Sequence, residues 1–110
     1  MDAGRFIKVS KALSDPQRLA MLERIAAAGP GELACKELVR TCDVVAATVS
    51  HHLKELQNAG LIAGRKEGQA MFLSFQADVL EAYRRELSRR LSPTGAKSRA
   101  DGKKKRVKRV

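Results

Sequence analysis

A helix followed at once by a hairpin, within residues 46–75, constrains the fold of this 110-residue chain more than any other feature. The first part repeats apolar side chains at helical spacing, and three of them form a stripe that we expect to be buried: Val49, Leu53 and Leu56. Two short β-prone runs follow, with Glu67-Gly68 between them, and glycine tolerates the positive φ that hairpin turns require. This order predicts an amphipathic helix packed against a two-stranded hairpin, or wing.

A helix of this kind beside a basic hairpin suits contact with duplex DNA, because the helix fits the major groove and the hairpin can lie along the neighbouring backbone. Its small side chains permit close approach, and its hydroxyl and imidazole groups can bond phosphates or base edges. The expected helix contacts are Ala46, Ala47, Thr48, Ser50, His51 and Lys54. The expected wing contacts are Arg65, Lys66 and Gln69, which suit the minor groove or phosphate. A solvated helix face and a charged, solubilising hairpin tip are the alternative interpretation.

The adjacent pair His51 and His52 is poorly placed to chelate one metal ion, because neighbouring residues on a helix point about 100° apart. We expect His51 to face DNA. We expect His52 to pack against the second helix or to bond the turn. Neither residue is predicted to bind a metal.

Positive charge is concentrated at the C-terminal end of the chain. From Pro93 onward eight Lys and Arg residues face one Asp, which is +7 of the formal +10. This segment is too poor in apolar side chains to offset its ordering entropy, so we expect a disordered basic tail at 93–110 after one folded domain at 1–92. The tail is interpreted as an arm that binds phosphate without sequence preference, with a nuclear address as the alternative.

Several function classes have no support in the chain. No apolar run approaches the roughly 20 residues of a membrane span, and no signal-peptide pattern is present. Two cysteines without an export signal indicate free thiols in a reducing compartment. We therefore expect a cytoplasmic protein with no membrane partner, and no arrangement of residues points to catalysis or to a cofactor.

Helical spacing predicts two helices before the segment described above. The first covers residues 6–13, and the second starts with Asp15 as its N-cap and Pro16 at its first position. In the second helix we expect Met21 at the edge of the buried stripe. The predicted members of that stripe are Leu19, Leu22, Ile25 and Ala26.

Two further helices are predicted, a third over residues 32–40 and a last over residues 78–91. The last helix has an apolar stripe without an evident partner, and its arginines and Glu86 lie largely off that stripe. With the first helix it would form a two-fold apolar interface, although packing within the domain would use the same side chains. The expected dimer-interface residues are Phe6, Ile7, Val79, Leu80, Tyr83, Leu87 and Leu91.

Four motifs in this order resemble the bacterial ArsR/SmtB repressor family. They are Leu-Ser-Asp-Pro-Gln-Arg-Leu at 13–19, Thr-Val-Ser-His-His-Leu at 48–53, Ala-Gly-Leu-Ile at 59–62 and Arg-Lys-Glu-Gly at 65–68. The resemblance implies a winged helix-turn-helix fold, mostly α with a β-hairpin wing and five helices. It also implies a homodimeric transcriptional repressor that leaves its operator when an inducer, often a metal or metalloid ion, binds. Such a dimer sets its recognition helices about 34 Å apart and predicts an inverted-repeat operator.

The inducer question depends on the cysteines. Family members that sense arsenite or soft metals often carry two cysteines with one residue between them in the third helix, whereas Cys35 stands alone in that stretch here. The family's other site type uses Asp and His ligands on the last helix, and residues 78–91 contain no His. Cys42 lies about 10 Å further along a helix, too far for an intrachain disulfide unless the helix ends early. Inert cysteines are favoured over a thiol or metalloid switch using Cys35 and Cys42, and a winged-helix module that binds a protein is the other alternative.

Overall fold

The computed structural model describes residues 1–93, which form five helices and a three-stranded antiparallel sheet. The helices are α1 (Ala3–Leu13), α2 (Pro16–Ala26), α3 (Cys35–Thr41), α4 (Ala46–Asn58) and α5 (Ala77–Arg90). The strands are β1 (Leu33–Ala34), β2 (Ile62–Glu67) and β3 (Ala70–Phe75), in the order β1-β3-β2. The predicted winged helix-turn-helix of five helices is confirmed, with α3 and α4 as the helix-turn-helix and β2–β3 as the wing. The basic tail was predicted at 93–110, and all of it from residue 94 onward lies outside the described residues.

The start of α2 is confirmed as predicted. The Asp15 carboxylate accepts hydrogen bonds from the backbone N–H groups of Gln17 at 2.9 Å and Arg18 at 3.1 Å. Pro16 takes the first helical position, where a missing N–H removes no helical bond. The backbone bond from Arg18 is the main reason why the pKa of Asp15 lies below its usual value, since it stabilises the charged form.

The hydrophobic core lies where helices α1 to α4 pack against one another and against one face of the sheet. The α4 stripe is confirmed, because Val49, Leu53 and Leu56 are all at most 7% exposed. The largest side chains that are fully buried come from five different elements and the loop before β2: Val9, Ile25, Leu38, Val49, Leu56, Leu61 and Leu73. Within residues 1–93, no helix is long and apolar enough to cross a lipid bilayer.

The buried stripe of α2 includes Met21 where Leu19 was predicted. Leu22 and Ile25 are buried as expected, but Leu19 is 39% exposed and Met21, expected at the edge, is 2% exposed. Helical spacing places both Leu19 and Met21 next to this pair, so the sequence alone does not choose between them. Contacts of α2 with α4 and β3 set its rotation and bring Met21 inward.

The predicted third helix over residues 32–40 is wrong in its first part. Leu33–Ala34 form β1, paired antiparallel with Leu73 and Phe72 of β3, and α3 begins at Cys35. The strand covers backbone groups of β3 that would otherwise form an open sheet edge. A two-residue strand carries no periodicity that could distinguish it from a helical turn. The sheet therefore has three strands where the sequence predicted only the hairpin.

The wing turn lies one residue later than predicted. Strands β2 and β3 pair from Ile62 with Phe75 through Glu67 with Ala70, which leaves Gly68 and the residue after it as the turn. Gly68 adopts a φ of 62°, a value that favours glycine.

Glu86 was predicted to lie largely off the apolar stripe of the last helix, but in the structure it is only 9% exposed. Its carboxylate accepts hydrogen bonds from Arg89 and from Nε of Arg90 at 2.8 Å. The Arg90 guanidinium also lies 4.4 Å from the centre of the Phe6 ring, which stacks on Tyr83. Two arginines thus compensate the buried charge. The bond from Arg89 contributes most to lowering the pKa of Glu86 to about 2.

Candidate nucleic-acid interface

Helix α4 presents its predicted DNA-facing residues on the side away from the core. Five of them are exposed and Thr48 is half-buried; the exposed ones are Ala46, Ala47, Ser50, His51 and Lys54. Val45 precedes the helix, and no side chain of residues 1–93, including that of Asp43, caps its start. The Thr48 N–H donates to the Val45 carbonyl at 3.0 Å, so the N–H groups of Ala46 and Ala47 are the ones available to an external acceptor such as a phosphate oxygen.

The two histidines have different environments. His52 is 6% exposed, and its Nε2 lies 3.2 Å from Oε1 of Gln17 in α2, so its predicted packing against the second helix is confirmed. His51 is exposed, with its ring centre 5.9 Å from that of His52 and the two rings tilted by 49°. Among residues 1–93, no group of three or more His, Cys, Asp or Glu side chains is arranged to hold a metal ion.

Of the three predicted wing contacts, only Arg65 forms side-chain hydrogen bonds within residues 1–93. Lys66 and Gln69 are exposed, the latter in the turn. The Arg65 guanidinium donates to both carboxylate oxygens of Glu32, from Nε at 3.0 Å and Nη2 at 2.8 Å, and Nη1 donates to Glu67 at 3.0 Å. The bond to Glu32 is the largest reason why the pKa of Arg65 is raised, and the same bond lowers the pKa of Glu32.

Sequence reasoning missed Glu32 as a partner of the wing. It lies 33 positions before Arg65 and was expected in a helix. Its position beside the wing depends on β1, which the pattern did not reveal. A signal becomes visible once β1 is known: Glu32 and Ala34 alternate onto the same side of the chain.

The two cysteines line different grooves. Cys35 lies, half-buried, in a largely apolar groove of about 530 Å³ between α3 and β3, with Val39, Met71 and Phe72. Burial raises the pKa of the Cys35 thiol, which lowers its thiolate fraction and hence its reactivity at neutral pH. Cys42 lines a second groove of about 340 Å³ between α2 and the turn before α4. Neither thiol forms a disulfide within residues 1–93.

Helices α1 and α5 together carry the residues expected at a dimer interface. Ile7, Leu87 and Leu91 are 50%, 36% and 73% exposed. Phe6 is 8% exposed and stacks on Tyr83 with ring centres 5.0 Å apart, so these two also hold α1 and α5 together within the chain. The remaining two, Val79 and Leu80, are half-buried. The helix pair thus combines internal packing with an exposed apolar strip.

Comparison with known proteins identifies related regulators. A family model described as a helix-turn-helix domain matches residues 13–65. The chain is 38% identical over 76 residues to the uncharacterized HTH-type transcriptional regulator YceK of Bacillus subtilis strain 168, covering 69% of this chain and 75% of YceK. It is 30% identical over 79 residues to the arsenical resistance operon repressor of Staphylococcus xylosus, covering 72% of this chain and 73% of that repressor.

A solved structure agrees with the fold. It is the homodimeric winged helix-turn-helix DNA-binding domain Mb0332 of Mycobacterium bovis, a possible ArsR-family transcriptional regulator. The match has 26% identity and a TM-score of 0.63, and it covers 76% of each chain.

Proposed function

We propose that this chain, which belongs to the ArsR family of helix-turn-helix transcriptional regulators, is a homodimeric repressor that binds an inverted-repeat operator. The observation that carries the proposal is the exposed face of α4, which has an uncapped first turn and stands beside a basic wing. A repressor of this kind acts on DNA in the cytoplasm and is released by an inducer.

Helix α4 supplies the major-groove contact. Ala46 and Ala47 allow close approach to the duplex, and the unbonded N–H groups of that first turn favour a phosphate. Ser50 and His51 lie one helical turn further and can bond base edges, while Lys54 reaches phosphate. Thr48 sits at the edge of the same face. The wing supplies the second contact, and its candidates are Arg65, Lys66 and Gln69.

The dimer forms through α1 and α5. A two-fold axis through this helix pair would bury the exposed parts of Ile7, Leu87 and Leu91 against the same residues of a second copy. Phe6, Val79, Leu80 and Tyr83 support the strip from behind. Two recognition helices set about 34 Å apart then match half-sites one helical turn apart.

The test is binding to a duplex taken from upstream of the protein's own gene, measured by fluorescence anisotropy against a scrambled duplex of equal length. Wild type is expected to prefer the upstream duplex, and Ser50→Ala with His51→Ala to lose about tenfold or more because each good base contact contributes about 1–3 kcal/mol. Arg84→Ala, on the exposed side of α5, is the control and should bind as wild type does. Equal binding of wild type to both duplexes would instead favour a winged-helix module that binds a protein.

The same assay addresses the inducer. Arsenite, zinc and an oxidant are added separately to the complex of wild-type protein and DNA. Release of the DNA that Cys35→Ser or Cys42→Ser abolishes would make the protein a thiol or metalloid sensor. Burial raises the pKa of the Cys35 thiol, and Cys42 lines a different groove, so the two thiols do not share one site; we therefore expect wild type and both variants to remain bound.

A further inference from the structure

Arg65 belongs to a row of side chains that crosses all three strands of the sheet. The strand register places Arg65 opposite Phe72 and Phe72 opposite Ala34, so the three share one face. Glu67 lies two residues beyond Arg65, and Glu32 two residues before Ala34, so alternation brings both carboxylates to that face as well.

Arg65 is held on three sides within this row. Its fork bonds Glu32 through two nitrogens, at 3.0 and 2.8 Å, and its third nitrogen bonds Glu67 at 3.0 Å. Its central carbon lies 4.9 Å from the centre of the Phe72 ring. A planar guanidinium is suited to a bidentate carboxylate and an aromatic face together, and an ammonium group cannot reproduce this geometry.

The charge of the row argues against a phosphate contact by Arg65. Two carboxylates surround one guanidinium, which leaves a net charge of −1 on this face of the wing. A phosphate brought to Arg65 would meet Glu32 and Glu67 at close range and be repelled by them.

Lys66 lies on the other face of the same strand. Side chains alternate along β2, so Lys66 shares its face with Gly64. A Cβ on Gly64 would lie 2.6 Å from Nε2 of Gln57, which shows that this face meets α4. Lys66 is exposed and forms no ion pair within residues 1–93. Lys66 therefore lies on the side of the wing that faces α4.

We propose that the two wing cations have different roles: Lys66 contacts DNA, whereas Arg65 is a positioning residue that holds the wing through Glu32. Because Glu32 immediately precedes β1 and α3, its ion pair connects the start of the helix-turn-helix to β2 across β3. The wing angle is then fixed relative to α4. The inference rests on the proposed DNA-binding function.

The salt dependence of DNA affinity separates the two roles. Each phosphate contact contributes about 0.9 to the slope of the logarithm of the binding constant against the logarithm of the salt concentration. Lys66→Gln should weaken binding to the upstream duplex and reduce the slope by about 0.9. Arg65→Gln and Glu32→Gln should each weaken binding roughly tenfold, because charge-assisted bidentate pairs are the strong ones, and leave the slope unchanged. Arg84→Gln is the control. A slope reduced equally by Arg65→Gln and Lys66→Gln overturns the proposal.

A second, independent test exchanges the two charges of the Arg65–Glu32 pair. It uses a Glu67→Gln background, so that a carboxylate introduced at position 65 has no acidic neighbour at position 67. Arg65→Glu should weaken DNA binding more than tenfold, and adding Glu32→Arg should restore it to within about twofold of the background, as expected when a coupled pair is reformed. A positioning pair tolerates exchange because its geometry is kept. An Arg65 that contacted phosphate would not be rescued, so failure of the exchange overturns the proposal.

Amide hydrogen exchange in the protein without DNA separates failure of this inference from failure of the proposed function. Arg65→Gln should speed exchange of the backbone amides in the β1–β3 pairing, whereas Lys66→Gln and Arg84→Gln should leave it unchanged. Unchanged exchange in Arg65→Gln overturns the positioning role. A wild-type protein that shows no preference for the upstream duplex overturns the DNA function, and the exchange result still decides whether Arg65 holds the wing.

Discussion

At the scale of single residues, carboxylates in this domain are matched by donors of fixed geometry. Glu86 is covered by Arg89 and Arg90, and Glu32 receives the fork of Arg65. Asp15 receives backbone N–H groups instead. Each arrangement favours the charged form and holds the pKa of the carboxylate below its ordinary value.

The pairing of Glu86 predicts a loss of stability in acid. Its pKa is about 2 in the folded chain against an ordinary value of 4.5, so the stabilisation is complete above pH 4.5 and is lost as pH falls toward 2. The free energy of unfolding of wild type should fall across this range, and that of Glu86→Gln should fall less. Urea denaturation followed by circular dichroism measures both. Glu23→Gln, an exposed carboxylate, is the control, and a Glu86→Gln curve parallel to that of wild type would contradict the prediction.

At the scale of elements, the end of α4 determines where the wing begins. The Gly60 N–H donates to the Gln57 carbonyl at 2.9 Å and the Leu61 N–H to the Leu56 carbonyl at 3.0 Å, which is a Schellman motif. Leu56 and Leu61 occupy the two positions of this motif that commonly carry apolar side chains, and both are fully buried here. The left-handed residue of the motif is Gly60, with a φ of 82°.

Gly60→Ala should therefore destabilise the domain by about 1–2 kcal/mol, because a Cβ is disfavoured at positive φ. The added Cβ would also lie 2.6 Å from Nη1 of Arg5, although that long side chain can move away. The matched control is Gly4→Ala in α1, where φ is not positive and alanine should leave stability unchanged or raise it by up to about 1 kcal/mol. Chemical denaturation compares the two, and equal effects would show that the helix end does not require glycine.

At the scale of the whole molecule, the exposed strip on α1 and α5 predicts self-association. Leu87→Asp should convert the dimer to monomers, because a carboxylate would be placed in an apolar two-fold contact. Sedimentation velocity measures the change. Leu19→Asp is the matched control, since Leu19 is 39% exposed and Leu87 is 36% exposed. A dimer that persists in Leu87→Asp would reject this interface.

The basic tail yields a prediction from charge alone. If about four of its cations bind phosphate, deletion of residues 97–110 should reduce the log–log salt slope of DNA binding by about 3 to 4 units. Binding to a scrambled duplex should weaken as much as binding to the upstream duplex, because such contacts carry no sequence preference. A slope that the deletion leaves unchanged would refute the arm.

Local rules determined most of the fold from sequence. The α2 cap at Asp15, the α4 stripe, the hairpin and the exposed set on α4 each depend on residues a few positions apart, and all appear in the structure. The buried place of His52 was predicted in the same way. Spacing along a helix or strand already specifies which side chains share a face, so these features need no knowledge of distant partners.

Only the tertiary structure decided the features that depend on distant partners. Strand β1 exists because β3 offers an edge, and Met21 is buried rather than Leu19 because α4 and β3 set the rotation of α2. The pairing of Arg65 with Glu32 joins residues 33 positions apart through the sheet register. The sequence by itself predicted a basic wing beside a recognition helix. The tertiary structure decided that Arg65 is the wing cation held in an ion pair. The three paired strands bring Arg65 and Glu32 together, and an ion pair forms only where folding brings the two charges together.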